Sequence, residues 1–197
     1  MLVVGGGSVA LRKVQGLLQH EAAVTVVARD AVPAMVALAE AGDVDLQPRL
    51  YQTGEAKRFA LVFAATDDRD INRLVSSDAQ QAHVLVNVAD DPELCTFHLP
   101  ARIRRGALQI ALFSDGSAPF VTRRLRQCLE RRFGEPWTTW MDAAKRFRLR
   151  VKGLHLSWEQ QEALFDAFFA ATVDGAALTT RLPTAAEEAA WLGSVQK

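Results

Sequence analysis

LVVGGGSVA, residues 2–10, is a short apolar strand that runs into the spacing G-x-G-x-x-A. Gly5 permits a tight turn from strand to helix, Gly7 lets the backbone approach a pyrophosphate, and the small Ala10 allows close packing of helix and strand. The strand before the glycines and a helix predicted over residues 12–19 favour a dinucleotide-binding turn, with phosphates at the helix N-terminus. A tight turn without a ligand is the alternative.

The first half of the chain alternates apolar segments typical of strands with helical segments. We predict strands at 24–28, 44–46, 61–65 and 84–88, and helices at 31–41 and 70–82. Parallel strands buried on both faces are short apolar runs, and right-handed crossovers join them into a doubly wound sheet. The expected fold class is therefore α/β, a Rossmann-type parallel sheet that binds ligands at the carboxyl ends of its strands.

The pattern changes after residue 90. We predict a strand at 108–113, a Ser/Gly loop at 114–117, and a basic amphipathic helix from 119 to 133. The remainder is predicted to be wholly helical, with helices at 137–151, 158–173 and 184–191, the second beginning at a capping box of Ser157 and Gln160. We expect three parts: a Rossmann domain over 1–90, a small α+β region over 91–134 and an all-helical region over 135–197.

Composition restricts the class and the environment of the chain. With 197 residues, 49% hydrophobic and 23% charged, it is typical of a folded globular protein. No apolar run is long enough to span a membrane, and the first residues lack the basic start of a signal peptide. Cys95 and Cys128 lack metal-ligand spacing and the four histidines are scattered, so we predict no metal site and a cytoplasmic location. The first strand begins almost at residue 1, which leaves open whether the native chain starts earlier.

Charge is unevenly distributed although the net charge is zero. Residues 101–152 hold 13 Lys and Arg against four Asp and Glu, a net charge of +9, whereas residues 1–100 have a net charge of −5. Such a segment points to an anionic partner, either nucleic acid or a small molecule that carries carboxylates or phosphates. Arg123 and Arg124 beside the Ser/Gly loop favour anion binding over a merely solvated helix face.

Two strand ends carry candidate cofactor-binding side chains. After the second strand, Asp30 can bond the ribose hydroxyls of NAD, whereas Arg29 can accept the 2′-phosphate of NADP, so the choice stays open with a preference for NAD. After the fourth strand, Thr66 can bond ribose or phosphate. Asp67 lies beside it, although Asp67 or Asp68 can instead cap the next helix.

A third strand end carries a candidate for catalysis. Asp90 follows the strand 84–88, where a carboxylate can accept a proton from a substrate beside the nicotinamide. A simple turn is the alternative, because Asp-Pro pairs favour turns. Asp91 directly precedes Pro92, which biases it to an extended conformation, so Asp90 is the better candidate.

Four motifs in series resemble those of precorrin-2 dehydrogenase, the siroheme-synthase dehydrogenase/ferrochelatase family. They are LVVGGGSVALRKVQGLL, AATDDRDINRLV, VNVADDPELCTF and FSDGSAPFVTRRLRQCLE. The resemblance covers roughly residues 1–150. It implies an enzyme that oxidises precorrin-2 to sirohydrochlorin with NAD as hydride acceptor, and it leaves open whether iron is also inserted.

The resemblance also assigns residues. Asp90 falls on the aspartate of the family's NVxD motif, Ser114 falls on its serine loop, and the cofactor contacts fall on Ser8, Val9, Arg29 and Asp30. The usual SSGG or STGG loop is here Phe113-Ser114-Asp115-Gly116, which adds a carboxylate near a polyanionic substrate.

The resemblance further implies a homodimer, built by a swapped middle segment, in the stand-alone form without a methyltransferase domain. Precorrin-2, a polycarboxylate, gives the basic segment an anion to bind through Arg123 and Arg124. Two alternatives remain: a non-catalytic NAD(H)-binding redox sensor whose basic segment holds nucleic acid, and a dehydrogenase of another small acid. The sequence has no nucleic-acid-binding motif, so we expect no nucleic acid as partner. It has no apolar run of membrane-spanning length, so we expect no membrane partner either.

Overall fold

A computed structural model describes residues 1–114 and 118–194. Asp115, Gly116 and Ser117, which include the carboxylate that departs from the family loop, lie outside the described residues. The chain forms two compact units, Met1–Leu99 and Pro100–Lys197. The finer division at residues 90 and 134 stays a prediction.

The first unit is a five-stranded parallel sheet with helical crossovers. Its strands are β1 (Leu2–Val4), β2 (Thr25–Val27), β3 (Asp45–Gln47), β4 (Leu61–Ala64) and β5 (Leu85–Val88), and its helices are α1 (Ser8–Leu18), α2 (Pro33–Glu40) and α3 (Arg69–Gln81). Short 3-10 helices lie at Ala56–Arg58 and Pro92–Leu94. The strand order is β3-β2-β1-β4-β5, so the chain reverses direction across the sheet at β1, where open α/β sheets bind their ligands. The predicted Rossmann-type α/β fold is confirmed.

The central strand β1 is apolar throughout because both faces of the sheet are covered there. Leu2 and Val4 lie in a buried cluster with Val75 and Ala79 of α3. Val3, which points to the other face, packs with residues of α1 and α2, including Val14 and Met35. Side chains alternate between faces along a strand, so a three-residue strand must be apolar at every position to serve both clusters.

Two helix starts in this unit differ from the sequence prediction and bear on the site. Helix α1 begins at Ser8 rather than at residue 12, directly after Gly7, which is its N-cap in extended conformation. Helix α3 begins at Arg69 and is capped by Asp68, whose Oδ1 accepts hydrogen bonds from the N–H groups of Asp70 (2.9 Å) and Ile71 (3.2 Å). The turn from β1 to α1 is therefore only residues 5–7, and the turn from β4 to α3 only residues 65–68.

The second unit begins with a hairpin of β6 (Ala101–Arg105) and β7 (Leu108–Leu112), which pair antiparallel. The turn between them includes Gly106 at φ +56°. Strand β6 was not predicted, because its sequence ARIRR holds three arginines and only Ile103 is buried. The predicted strand at 108–113 is confirmed as β7.

Helices and one small strand pair complete the second unit. They are α4 (Pro119–Arg132), α5 (Pro136–Lys152), α6 (Trp158–Thr172), β8 (Val173–Asp174), β9 (Thr179–Thr180) and α7 (Ala185–Ser194). The Ser157–Gln160 capping box is confirmed. The prediction of a wholly helical region is wrong at β8 and β9, where the Asp174 carboxylate accepts hydrogen bonds from the N–H groups of Ala176 and Ala177 (2.9 and 3.0 Å) and turns the chain back.

An aromatic core holds the helices of the second unit together. Phe147 of α5 stacks on Phe168 of α6, with ring centroids 4.7 Å apart. The indole N–H of Trp140 donates to Oγ1 of Thr172 at 2.9 Å, and that of Trp137 donates to the carbonyl of Leu178 at 2.9 Å. Among the described residues, no helix is long and apolar enough to cross a membrane.

Candidate functional site

A cleft of about 1160 Å³ opens at the carboxyl ends of the parallel strands, and all of its lining residues belong to the first unit. Its size accommodates an extended dinucleotide, since typical small-molecule pockets have roughly 300–1,000 Å³. It is lined by every residue predicted to bind the cofactor and by the predicted catalytic residue: Gly5, Gly7, Ser8, Val9, Arg29, Asp30, Thr66, Asp67 and Asp90. Residues that follow the ends of four different strands, β1, β2, β4 and β5, therefore meet in one site.

Gly5 and Gly6 are required by the protein's own packing. Gly5 has φ +121°, and a Cβ added there would lie 2.4 Å from the carbonyl oxygen of Ala65. A Cβ on Gly6 would lie 2.1 Å from the carbonyl oxygen of Asp30. These two glycines allow the turn after β1 to contact the segments that follow β4 and β2. Gly6 was assigned no role from the glycine spacing, although a Cβ there would make the closer of the two contacts.

Gly7 differs because nothing in the described part of the chain requires it to be glycine. Its φ of −79° is ordinary for any residue, and a Cβ added there would meet no atom within 4 Å. No side chain caps the first turn of α1, and no acidic residue lies in that turn. The missing side chain therefore leaves an open cradle over N–H groups at the positive end of the helix dipole, which suits a pyrophosphate.

Arg29 and Asp30 lie where the second strand meets the cleft. Their side chains pair, with Nε 3.2 Å from Oδ2, and remain 74% and 87% exposed. A carboxylate at this strand end is the usual partner of the ribose hydroxyls. The pair therefore lies at the position that separates NAD from NADP.

Thr66 is engaged by the protein itself. Its N–H donates to Oδ1 of Asn72 (3.2 Å), its hydroxyl lies 2.8 Å from the same oxygen, and the Asn72 amide donates back to the Thr66 carbonyl (3.0 Å). This network holds the turn between β4 and α3. A direct bond from the Thr66 hydroxyl to a cofactor stays a prediction and has to compete with Asn72. Asp67 is exposed, since Asp68 is the residue that caps α3.

Asp90 and Asp91 are adjacent but differ in their surroundings. Asp91 is 13% exposed and accepts a hydrogen bond from Nε of Arg69 at 2.9 Å, which raises the pKa of Arg69. Asp90 is exposed to the cleft, has φ +58°, and makes no hydrogen bond or ion pair with any residue that the structure describes. A non-glycine residue in this left-handed region is uncommon and is often found at functional sites. Asp90 is the carboxylate of this turn that remains available.

Sequence reasoning missed a wall of the cleft formed by Arg49, Leu50 and Tyr51, after β3. Arg49 binds both oxygens of Glu55, at 2.6 and 2.7 Å. The Tyr51 hydroxyl donates to Asp78, and burial together with this hydrogen bond raises the pKa of Tyr51 well above its ordinary value. These residues come shortly after the strand predicted at 44–46. Ligands bind at the carboxyl ends of parallel strands, so the sequence held a signal for them.

The residues predicted to bind substrate belong to the second unit. Ser114 is half-buried after β7. Arg123 and Arg124 are exposed on α4 and form no ion pair with the residues described, whereas Arg126 is paired with Glu130. Within residues 1–114 and 118–194, no three His, Cys, Asp or Glu side chains come together as ligands for a metal ion.

Residues 1–101 match a family model described as "Putative NAD(P)-binding". The match spans more than half of the chain, and its glycine turn is the open cradle described above. The chain belongs to this NAD(P)-binding family. The cleft and Gly7 fit such a cofactor, since the cradle offers N–H groups for its pyrophosphate and Asp30 lies at the position of the ribose.

Curated relatives and a solved structure extend the comparison to the second unit. The chain is 40% identical over 169 residues to siroheme synthase of Pseudomonas putida, covering 86% of this chain and 36% of that protein. It is 41% identical over 137 residues to siroheme synthase of Methylococcus capsulatus, covering 68% and 29%. The chain thus spans about a third of the length of these relatives. The solved structure of "SirC, precorrin-2 dehydrogenase" matches with TM-score 0.77 and 25% identity, covering 99% of this chain and 92% of that chain.

Replacing Gly7 by Asp tests the cradle. The added Cβ has open space and Asp is a favoured N-cap, so we expect the thermal unfolding midpoint to stay unchanged or rise slightly. Like charges about 4 Å apart near a protein surface repel by about 4 kcal/mol, so NAD⁺ affinity measured by calorimetry should fall on the order of a hundredfold or more.

Gly175→Asp is the matched control, because Gly175 also has open space around it and lies in the second unit. It should leave the affinity for NAD⁺ unchanged. Full NAD⁺ affinity in folded Gly7→Asp protein would remove the assignment of the pyrophosphate to this turn.

Proposed function

We propose that the chain is an NAD-dependent dehydrogenase that oxidises precorrin-2 to sirohydrochlorin in siroheme biosynthesis. The similarity to siroheme synthases and to SirC over both units supports this function. The observation that carries it is the carboxylate of Asp90, which lines the cleft and binds none of the residues that the structure describes. It follows β5, two strands from the glycine turn on the side of the sheet opposite β2 and β3. In a dinucleotide fold the two nucleotides lie on opposite sides of the switch point, which gives Asp90 the nicotinamide side.

The reaction removes a hydride and a proton from the substrate. When bound, NAD⁺ supplies the hydride acceptor, and the products are sirohydrochlorin, NADH and one proton. The proton needs an ionised acceptor within hydrogen-bond reach of the substrate. Asp90 meets this requirement because its carboxylate lines the cleft and has no hydrogen bond or ion pair within residues 1–114 and 118–194, whereas the carboxylate of Asp91 is held by Arg69.

The preference for NAD over NADP is supported by the end of β2. The Asp30 carboxylate lines the cleft and would repel a 2′-phosphate, while it can accept hydrogen bonds from the ribose hydroxyls. Arg29, which would favour NADP, is already paired with Asp30. We therefore propose NAD as the cofactor.

The basic second unit supports an anionic substrate. Arg123 and Arg124 form no ion pair with the residues that the structure describes and are close in sequence to Ser114. Arg side chains bind carboxylates with paired hydrogen bonds. Precorrin-2 carries several carboxylates, so we propose that these three residues hold its side chains.

A homodimer is supported by the exposed apolar residues of α4. None of its 14 residues is buried, and Phe120, Val121 and Leu125 are 63%, 37% and 49% exposed. In the described part of the chain, β6 and β7 pair only with each other, which leaves strand edges open. We propose that a second copy covers these surfaces through a swapped middle segment.

Both cysteines are free, which supports a location in the cytoplasm.

Asp90→Ala and Asp91→Ala form a matched pair for the catalytic role. We expect Asp90→Ala to bind NAD⁺ normally and to lose precorrin-2 oxidation by a factor on the order of 10²–10⁴, the range for a general base. Asp91→Ala should lose much less, because its carboxylate binds Arg69. Turnover followed by absorbance, with NAD⁺ affinity as the folding control, decides between them. An inactive Asp91→Ala beside an active Asp90→Ala would transfer the role, and two active variants would exclude a carboxylate base at this turn.

The double variant Arg123→Ala/Arg124→Ala should raise the KM for precorrin-2 and leave NAD⁺ affinity unchanged. Each lost hydrogen bond to a carboxylate is worth about 1.5–3 kcal/mol if it is desolvated, so an increase of tenfold or more is expected. Arg131→Ala/Arg132→Ala, at the last turn of the same helix, is the control and should change KM little. Equal KM values for both double variants would show that Arg123 and Arg124 lie on a solvated face of the helix and do not bind the substrate.

Phe120→Asp/Leu125→Asp should convert a dimer into a monomer in sedimentation at micromolar concentration. The two new aspartates would have to be buried without a cationic partner in the interface that we propose, and burying an unpaired charge destabilises the dimer. Leu182→Asp, at a comparably exposed leucine of the same unit, should remain dimeric. A wild-type monomer at this concentration would contradict the proposal.

A further inference from the structure

Strand β5 lies at the edge of the parallel sheet, and residues 95–97 cover that edge. In the described part of the chain β5 pairs with one strand, β4, so the buried backbone groups on its outer side need other partners. At Val86 the partner is Thr96. The N–H of Val86 donates to Oγ1 of Thr96 at 2.8 Å, and the N–H of Thr96 donates to the Val86 carbonyl at 2.8 Å. The edge is thus satisfied at this residue without a sixth strand.

Cys95 does the same for Val88, two residues further along β5. The N–H of Val88, a residue that is 3% exposed, donates to Sγ of Cys95 at 3.1 Å. The thiol lies 3.3 Å from the carbonyl oxygen of Val88 and 3.4 Å from that of Asp91, and its proton can be donated to either oxygen. One sulfur atom therefore binds the backbone on both sides of the two residues between them, Ala89 and Asp90.

The turn that Cys95 encloses has a conformation that needs support. Asp90 has φ +58°, which is uncommon for a residue with a side chain and costs free energy. Its carboxylate lines the cleft and makes no hydrogen bond or ion pair with the residues that the structure describes, so this side chain does not hold the turn. The N–H of Ala89 donates to the carbonyl of Ala64 on β4 at 2.8 Å, which fixes the start of the turn. The thiol joins that start to the end of the turn.

Cys95 is held in place from outside the turn. It directly follows the 3-10 helix Pro92–Leu94. The hydroxyl of Ser76 on α3 donates to the carbonyl of the last residue of that helix at 2.7 Å, and Nδ2 of Asn87 donates to the carbonyl of Phe97 at 3.1 Å. The chain on either side of the cysteine is thus tied to α3 and to β5. The thiol is therefore a fixed point against which the turn is held.

We propose that Cys95 is a positioning residue for Asp90: by binding the backbone of Val88 and of Asp91, its thiol fixes where the Asp90 carboxylate meets the substrate. This inference rests on the proposed function, in which Asp90 accepts a proton. The acceptor has to lie within hydrogen-bond reach of that proton, and a displacement of about 1 Å can lower the rate about a hundredfold. The structure assigns Cys95 no contact with the substrate or the cofactor.

Three variants of the full chain separate the hydrogen bonds of the thiol from a general loss of stability. Cys95→Ala removes the sulfur and leaves the buried N–H of Val88 without its acceptor, whereas Cys95→Ser supplies a hydroxyl that can also accept and donate. Thr96→Val is the matched control, because it removes the corresponding hydroxyl bond to Val86. That bond lies at the same strand edge but two residues further from the turn.

The first measurement is amide hydrogen exchange by NMR on the protein alone, which needs neither substrate nor turnover. In Cys95→Ala the Val88 amide should exchange faster by about tenfold, since its hydrogen bond is lost. It should keep wild-type protection in Cys95→Ser and in Thr96→Val, where the Val86 amide should become faster instead. Wild-type protection of the Val88 amide in Cys95→Ala would show that the sulfur does not hold this backbone and would overturn the inference.

The second measurement is the kinetics of precorrin-2 oxidation at saturating NAD⁺. In Cys95→Ala we expect kcat to fall on the order of tenfold to a hundredfold, because the proton acceptor is displaced. The KM for precorrin-2 and the affinity for NAD⁺ should stay at their wild-type values. Cys95→Ser should recover most of the lost kcat, and Thr96→Val should keep wild-type kcat even where its unfolding midpoint falls as far as that of Cys95→Ala.

The inference is overturned by a wild-type kcat in folded Cys95→Ala, or by an equal loss of kcat in Cys95→Ala and Thr96→Val. An equal loss in Cys95→Ala and Cys95→Ser would also overturn it, because the hydroxyl would then restore nothing. If Cys95→Ala does not fold, Cys95→Val, which fills the space without a polar atom, takes its place. A wild-type protein that does not oxidise precorrin-2 would instead overturn the proposed function, and amide exchange would still show whether the thiol holds the turn.

Discussion

The close approach of backbone to backbone at Gly5 and Gly6 is the constraint on which the rest of the first unit depends. A single added carbon at either position would overlap a carbonyl oxygen, of Ala65 in one case and of Asp30 in the other. Because the turn after β1 contacts the segments after both neighbouring strands, the ends of β1, β2 and β4 converge on one edge. The cleft is a consequence of that convergence, and Asp30, Thr66 and Asp90 all line it.

Helix α1 makes contacts at two different depths. Its first turn follows Gly7 and presents N–H groups to the cleft, while its second turn carries Lys13 behind the cleft wall. An early start of the helix is needed for both, because beginning at Ser8 puts Lys13 one and a half turns from the cradle and within hydrogen-bond reach of β5. One helix thus links the cofactor cradle to the strand that carries the proposed proton acceptor.

Much of this arrangement could be predicted from the sequence, because strand ends and glycine spacing are local signals. LVVGGG predicts the parallel sheet and the cradle, and the ends of the apolar runs predict Asp30, Thr66 and Asp90 as neighbours. The rest depends on non-local contacts. The pairing of Ile103 with Ile110 outweighs the arginines of β6, the hydrogen bond from Lys13 to Asn87 spans 74 residues, and the separate environments of Asp90 and Asp91 arise from Arg69 on another element. No local pattern encodes these contacts.

The proposed dehydrogenase activity is tested most directly by measuring the ratio of its two products in the absence of oxygen. Purified protein is mixed with NAD⁺ and precorrin-2, and the absorbance of sirohydrochlorin and of NADH is followed together. Both products should form in equal amounts and only when the protein is present, and NADP⁺ should support a much slower reaction. Binding of NAD⁺ without any formation of NADH from precorrin-2 would contradict it.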